Sequence, residues 1–246
     1  MDTHLPLKIL PQPTETTCGP TCLHAVYNYY GETLDLHELI QKVQTLELGG
    51  TLAVFLGCDA LERGYNVTIY TYNLQIFDPT WFSKNSTVDL KEKIFLQSRC
   101  KPDSKLQVAS NGYLKFLSMG GKIAFQDLNV SLIHKILSNG IPVITGLSAT
   151  YLHQTARETA DEKCQFDDLC GYPSGHFVVL HGIDHTFEFI DVADPLQSNP
   201  ISNSQYYKIR SDRVICSILL GILTYDANLL IIERPKAEHA KLDSSK

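Results

Sequence analysis

The sequence lacks a hydrophobic run long enough to cross a membrane. Its longest, VICSILLGILTY from Val214, has 12 residues, whereas a spanning helix needs about 20. The amino end, MDTHLPLKIL, has an acidic residue at position 2, and Pro6 and Lys8 interrupt its apolar residues, which is unlike a secretory signal. We therefore predict no membrane segment and a cytoplasmic location.

Basic residues and cysteines are also few. The 21 Lys and Arg residues against 27 Asp and Glu give a net charge of −6, and no basic stripe is present to neutralise phosphates, so we expect no nucleic-acid partner. The seven cysteines are sparse and odd in number. In a chain of this size without an export signal, they predict reduced thiols rather than a disulfide framework.

The spacing of the apolar residues changes along the chain. Up to about residue 140 it is mostly helical, and from the stretch IPVITGLSA onward it becomes two-fold and rich in β-branched residues. Helices followed by a mostly antiparallel sheet predict an α+β fold. We interpret residues 1–234 as one domain with a helical insertion at about 77–130, and 235–246 as a charged, flexible tail.

Several local patterns are specific enough to predict single elements. The first helix is expected to start at Cys18 and to end before Gly31, and Thr51 is expected to cap a later helix that runs to Arg63. The stretches HFVVLHGID and FEFIDVADP predict two neighbouring strands. The polar stretch TARETADEKCQFDDLCGYPSG predicts a surface loop.

Cys18 lies where a reactive cysteine is expected. It precedes Pro20, which favours the first turn of a helix, and the amino end of a helix stabilises a thiolate through its free N–H groups and its dipole. Gly19 would let a substrate carbonyl approach the backbone closely. Cys22, one helical turn later, is interpreted as a core residue. A zinc site of Cys18, Cys22 and His24 is disfavoured because a second Cys/His pair at a typical spacing is missing.

His176 is the candidate base. It follows Gly175 and begins an apolar strand, which would hold its ring rigidly at the edge of a cleft. A neighbouring antiparallel strand would return Asp194 to its side, where the carboxylate could orient the ring. Asp191 is the alternative, and Pro195 favours Asp194 because it forces that residue to be extended.

Other residues are candidates for the same cleft. Gln12 could fold back over the start of the helix and donate its amide hydrogen to an oxyanion. Gly49 and Gly50 could shape a wall of the cleft, and Tyr151 and His153 are further candidates because they follow a predicted strand.

Together, Gln12, Cys18-Gly19, Leu23, Gly175-His176-Phe177-Val178-Val179-Leu180 and Asp194-Pro195 resemble the motifs of the C39 peptidases. The resemblance implies a papain-like fold in which the Cys18 helix packs on the sheet. It also implies a cysteine peptidase with Cys18 as nucleophile, His176 as general base and acid, Asp194 as orienting acid and Gln12 as oxyanion donor.

The chain has no P-loop and no apparent transporter part, so it is more similar to the stand-alone, soluble bacterial C39-like proteins. We expect a peptide or protein substrate and neither a metal nor an organic cofactor. Two alternatives remain open at this point. The same residues could catalyse amide transfer or deamidation, or the chain could be a non-catalytic peptide-binding module.

Overall fold

The computed structural model describes residues 2–47, 49–84, 87–159 and 165–235. Its α-helices are α1 (Cys18–Tyr29), α2 (Leu36–Lys42), α3 (Ala53–Glu62), α4 (Leu90–Cys100), α5 (Ser104–Ser118), α6 (Val130–Ser138), α7 (Ala149–His153) and α8 (Ser211–Leu220). Its strands are β1 (Thr3–His4), β2 (Asn66–Thr71), β3 (Lys122–Ala124), β4 (Val143–Ser148), β5 (Gly175–Ile183), β6 (Phe189–Ala193), β7 (Tyr206–Arg210) and β8 (Asn228–Glu233). The predicted α+β fold is confirmed.

The strands form one sheet in the order β3-β2-β8-β4-β5-β6-β7, with β1 added beside β5. The described strand pairs are antiparallel except β2 with β3, which is parallel. The long strand β5 is central because it pairs with β4, β6 and β1. The residues that begin β5 and those that follow β6 therefore meet at one end of the sheet.

Both faces of the sheet are covered by apolar cores. Side chains alternate across a strand, and in β5 Phe177 and Val179 belong to one core while Val178 and Leu180 belong to the other. Helices α1, α3 and α5 contribute to the first core, and α6 and α8 contribute to the second. Since β5 is buried on both sides, the position of its first residues is fixed tightly.

Helix α1 packs on the first face of the sheet, as predicted. All of its residues from Cys18 to Tyr27 are buried, and the thiol of Cys22 donates to the carbonyl oxygen of Phe177 in β5 at 3.3 Å. This contact joins the start of α1 to the start of β5. The described residues contain no helix that is long and apolar enough to span a membrane.

The stretch 77–130 is largely helical and joins the main fold. It holds α4 and α5, a 3₁₀ turn at Pro79–Phe82 and the edge strand β3. Ile94 and Phe116 from the two helices lie in the same core as α1. The domain boundaries at 1–234 remain a prediction, and 236–246 lies outside the described residues.

One local prediction is wrong, and one helix was not predicted. Thr51 does not cap α3: the N-cap position is Leu52, and the Thr51 hydroxyl donates instead to the Gln44 carbonyl at 2.7 Å. Helix α7 was not predicted because five residues are too few to show a periodic pattern. Its N-cap is Ser148, whose hydroxyl accepts from the Tyr151 N–H.

Candidate active site

Cys18 is the first residue of α1 and is 8 % exposed. The chain enters the helix through a fixed turn, in which the Thr14 N–H donates to the Thr17 hydroxyl and that hydroxyl donates to the Thr14 carbonyl. Among the described residues, no side chain caps this end of the helix. The first N–H groups of α1 are therefore free to stabilise an anion at Cys18.

His176 and Asp194 meet at the end of the sheet. His176 is the second residue of β5, and Asp194 follows the last residue of β6. The Nε2 atom of His176 lies 2.8 Å from Oδ1 of Asp194, whose side chain is fully buried. Because Nε2 is engaged by the carboxylate, Nδ1 is the ring nitrogen left for Cys18.

The structure places Asp191 elsewhere. Its carboxylate lies 3.0 Å from Nδ1 of His4 and 3.6 Å from Nζ of Lys208. Residue 191 pairs with Gly182 near the far end of β5. Of the two candidate carboxylates, Asp194 is the one hydrogen-bonded to His176.

Two further side chains hold Asp194, and neither was predicted in this role from the sequence. The Tyr207 hydroxyl donates to Oδ2 at 2.8 Å, and Nε2 of His153 lies 3.2 Å from the same atom. The Leu196 N–H donates to Oδ1 at 2.8 Å. With His176, these groups saturate the carboxylate and fix its orientation.

This geometry favours a charged pair. Burial raises the pKa of Asp194, but the charge of His176 and the hydrogen bonds from His153, His176 and Leu196 outweigh it and hold the pKa well below its usual value. Burial lowers the pKa of His176, but the charge and hydrogen bond of Asp194, together with Cys18, raise it well above its usual value. An imidazolium beside a carboxylate is therefore stabilised.

The backbone of Gln12 is attached next to this pair. Its N–H donates to the Pro195 carbonyl at 2.9 Å, one residue after Asp194. Its side-chain Oε1 is buried and has no hydrogen-bond partner among the described residues. No hydrogen bond from the described residues to this oxygen therefore fixes the side-chain amide.

Cys18 and His176 line the same cavity, which has a volume of about 210 Å³. Gly49 and Gly50 line it too, with φ angles of +85° and +77° that favour glycine. Tyr151 lies instead in a neighbouring cavity with Arg157. Four of the sequence candidates are thus brought together around one opening, while Tyr151 is separate from it.

Gly19 is buried against the wall of the cavity. A Cβ atom at this position would lie 2.5 Å from Cγ2 of Thr51 and 3.3 Å from Cδ2 of Phe177. Glycine therefore permits α1 to approach both residues closely. Packing inside the protein is therefore sufficient to explain why residue 19 is a glycine.

We expect Gly19→Ala to lower the free energy of unfolding by about 1–3 kcal/mol, because an extra methyl group in a filled core forces its neighbours to shift. Urea denaturation measures the loss. The double variant Gly19→Ala/Thr51→Ser removes Cγ2 but keeps the hydroxyl bond to Gln44, so it should recover most of the loss. An equally unstable double variant would contradict this explanation.

The cysteine and histidine that follow Cys18 are engaged elsewhere. Burial raises the pKa of the Cys22 thiol well above its usual value, which opposes reactivity or metal binding. Nε2 of His24 lies 2.9 Å from the Leu34 carbonyl oxygen. Within the described part of the chain, no group of three or more His, Cys, Asp or Glu residues is arranged to hold a metal ion.

Comparison with protein families supports the sequence resemblance. The model of the peptidase C39 family matches residues 7–84. The matched segment includes Gln12 and Cys18 and ends before His176 and Asp194. No curated protein matches the chain.

The solved structures that are similar to this one include the following two. A protein from Bacillus anthracis described as a C39-like peptidase is 14% identical, with a TM-score of 0.52 over 96% of this chain and 98% of that one. The peptidase domain of Streptococcus ComA, a bi-functional ABC transporter of a quorum-sensing pathway, is 13% identical, with a TM-score of 0.43 over 93% of this chain and 99% of that one. In its sequence over residues 7–84 and in its papain-like α+β fold, the chain resembles the C39 peptidases.

Proposed function

We propose that this protein is a cysteine peptidase that hydrolyses a peptide bond through an acyl-enzyme. One observation carries the proposal: His176, which is hydrogen-bonded to Asp194, lines the cavity that also contains Cys18 at the start of α1. The partial family match and the fold support a papain-like cysteine peptidase. They support the reaction class, and the residue roles below are our inference from the geometry.

In the first step, the Cys18 thiolate attacks the carbonyl carbon of the peptide. The imidazolium of His176 stabilises the thiolate, and the free N–H groups at the start of α1 add to this effect. The carbonyl oxygen becomes an oxyanion, which the Cys18 N–H and the Gln12 side-chain amide would stabilise as hydrogen-bond donors.

In the second step, the tetrahedral intermediate collapses. The proton on Nδ1 of His176 passes to the leaving amine, the C–N bond breaks and the acyl group remains on Cys18 as a thioester. Neutral His176 then removes a proton from water, which attacks the thioester and releases a carboxylic acid. Asp194 holds Nε2 throughout, so the ring presents the same nitrogen in both steps.

The test is digestion of a peptide library by the wild type and by Cys18→Ala. We expect cleavage products with the wild type only, because the variant has no nucleophile. Cys100→Ala is the matched control, since Cys100 is an exposed cysteine at the end of α4, and it should cleave like the wild type. The mass of each product separates hydrolysis from amide transfer or deamidation. Equal products with Cys18→Ala would refute the proposal.

A further inference from the structure

The cavity contains a buried carboxyl group that the proposed reaction does not use. Asp226 lines it together with Cys18 and His176, and it is only 8 % exposed. It precedes β8, which is far from both residues in the sequence. This side chain can therefore contact a group that enters the cavity.

Asp226 is held rigidly. Its Oδ1 accepts from the Ala53 N–H at 3.1 Å and from Nδ2 of Asn228 at 3.2 Å. The residue before it, Tyr225, has a φ of +72°, a conformation that side chains other than glycine adopt rarely. A Cβ at Gly146 would lie 2.5 Å from the Asp226 Cβ. Backbone strain and close packing thus fix the carboxyl group in the cavity wall.

The second oxygen of Asp226 is not engaged by the part of the protein that the structure describes. Among the described residues, none donates a hydrogen bond to Oδ2 and none forms an ion pair with this carboxylate. The other ionisable side chains that line the cavity are Glu15, Cys18 and His176, and no Lys or Arg is among the described lining residues. Burial raises the pKa of Asp226 to about 7. A buried carboxylate without an ion-pair partner is costly, and a bound cation would offset that cost.

We propose that Asp226 binds a protonated nitrogen of the substrate, so that the peptidase selects peptides with a basic side chain or a free amino terminus next to the scissile bond. This inference deepens the proposed function of the Cys18 site and rests on it. The cavity has room for about one side chain, since its volume is about 210 Å³. The cationic group and the attacked carbonyl must therefore belong to neighbouring parts of the substrate.

Charge-selective modification of Cys18 tests the site without requiring catalysis. The Cys18 thiolate attacks the sulfenyl sulfur of a methanethiosulfonate, forms a disulfide and releases methanesulfinate. We would measure rates at Cys18 by peptide mapping at about pH 8 and 0.15 M salt, using aminoethyl (cationic), methyl (neutral) and sulfonatoethyl (anionic) reagents. We expect the cationic reagent to react fastest at Cys18 and the anionic reagent slowest. A carboxylate within the same small cavity should raise the ratio of the cationic rate to the neutral rate about tenfold.

The variants identify the carboxylate responsible. Asp226→Asn should remove most of the preference at Cys18, whereas Asp191→Asn, which makes the same change in net charge outside the cavity, should retain it. The ratio at Cys100 should be the same in all three proteins. The absence of the charge order in the wild type overturns the inference, even if Asp226→Asn fails to fold. If Asp226→Asn folds and the cationic-to-neutral rate ratio at Cys18 is unchanged, the inference is also overturned.

Paired peptides connect the site to cleavage. Each pair would differ only by a lysine against Nε-acetyl-lysine, or by a free against an acetylated amino terminus, which separates the two sources of the cation. Cleavage without preference for either charged form would refute this inference and leave the proposed function intact. A preference at Cys18 that depends on Asp226, without cleavage of any peptide, would support the cation site and contradict the peptidase.

Discussion

We expect Asp194→Asn to reduce turnover by up to roughly 10⁴-fold while the protein remains folded. The carboxylate accepts from Nε2 of His176 at 2.8 Å, and its charge stabilises the imidazolium that we propose to pair with Cys18. An asparagine can present its amide hydrogens to Nε2, which favours the wrong tautomer and leaves no proton on that nitrogen. The measurement is kcat on any peptide that the wild type cleaves, because orientation of a base affects the chemical step more than binding.

Asp191→Asn is the matched control. It makes the same chemical change three residues earlier, but its partners are His4 and Lys208 near the other end of β5. Its turnover should stay close to that of the wild type. A larger loss with Asp191→Asn than with Asp194→Asn would mean that the orienting carboxylate has been assigned wrongly.

The loss of stability caused by Asp194→Asn should also depend on pH. The lowered pKa of Asp194 stabilises the fold above its unfolded value of about 3.9, and this contribution is lost as the pH falls. The raised pKa of His176 stabilises the fold below its unfolded value of about 6.5, and this contribution declines as the pH rises toward the folded value. The difference in Tm between wild type and variant should therefore be largest between about pH 4 and 6.5.

The charged pair illustrates what can be predicted from local sequence. An apolar run after Gly175-His176 is sufficient to predict a strand, and Pro195 restricts Asp194 to an extended conformation. The pairing of β5 with β6 then brings the two residues together. Each of these features can be predicted from a short segment of sequence and a hairpin connection.

The supporting residues could not be predicted in the same way. His153 lies on a five-residue helix, and Tyr207 reaches Asp194 only because β7 pairs with β6. Asp226 is 173 residues from Ala53, whose N–H it accepts. Such contacts depend on the order of strands in the sheet, which periodicity within a strand does not determine.

A backbone hydrogen bond also connects the oxyanion candidate to the charged pair. The Gln12 N–H donates to Pro195, so the segment before α1 is attached to the residue that follows Asp194. This segment thus carries Gln12 and leads into the first turn of α1. A side chain placed in this way can lower the barrier with little effect on the resting thiol.

We therefore expect Gln12→Ala to reduce kcat by roughly 10²–10³-fold, the usual effect of removing one oxyanion donor. Gln12→Glu should reduce it further, because a carboxylate of the same shape repels the oxyanion. In both variants the rate at which iodoacetamide labels Cys18 should remain near that of the wild type, since alkylation forms no oxyanion. Turnover that is unchanged in Gln12→Ala would exclude the residue from the site, and slower labelling of Cys18 would show that Gln12 positions the helix rather than the substrate oxygen.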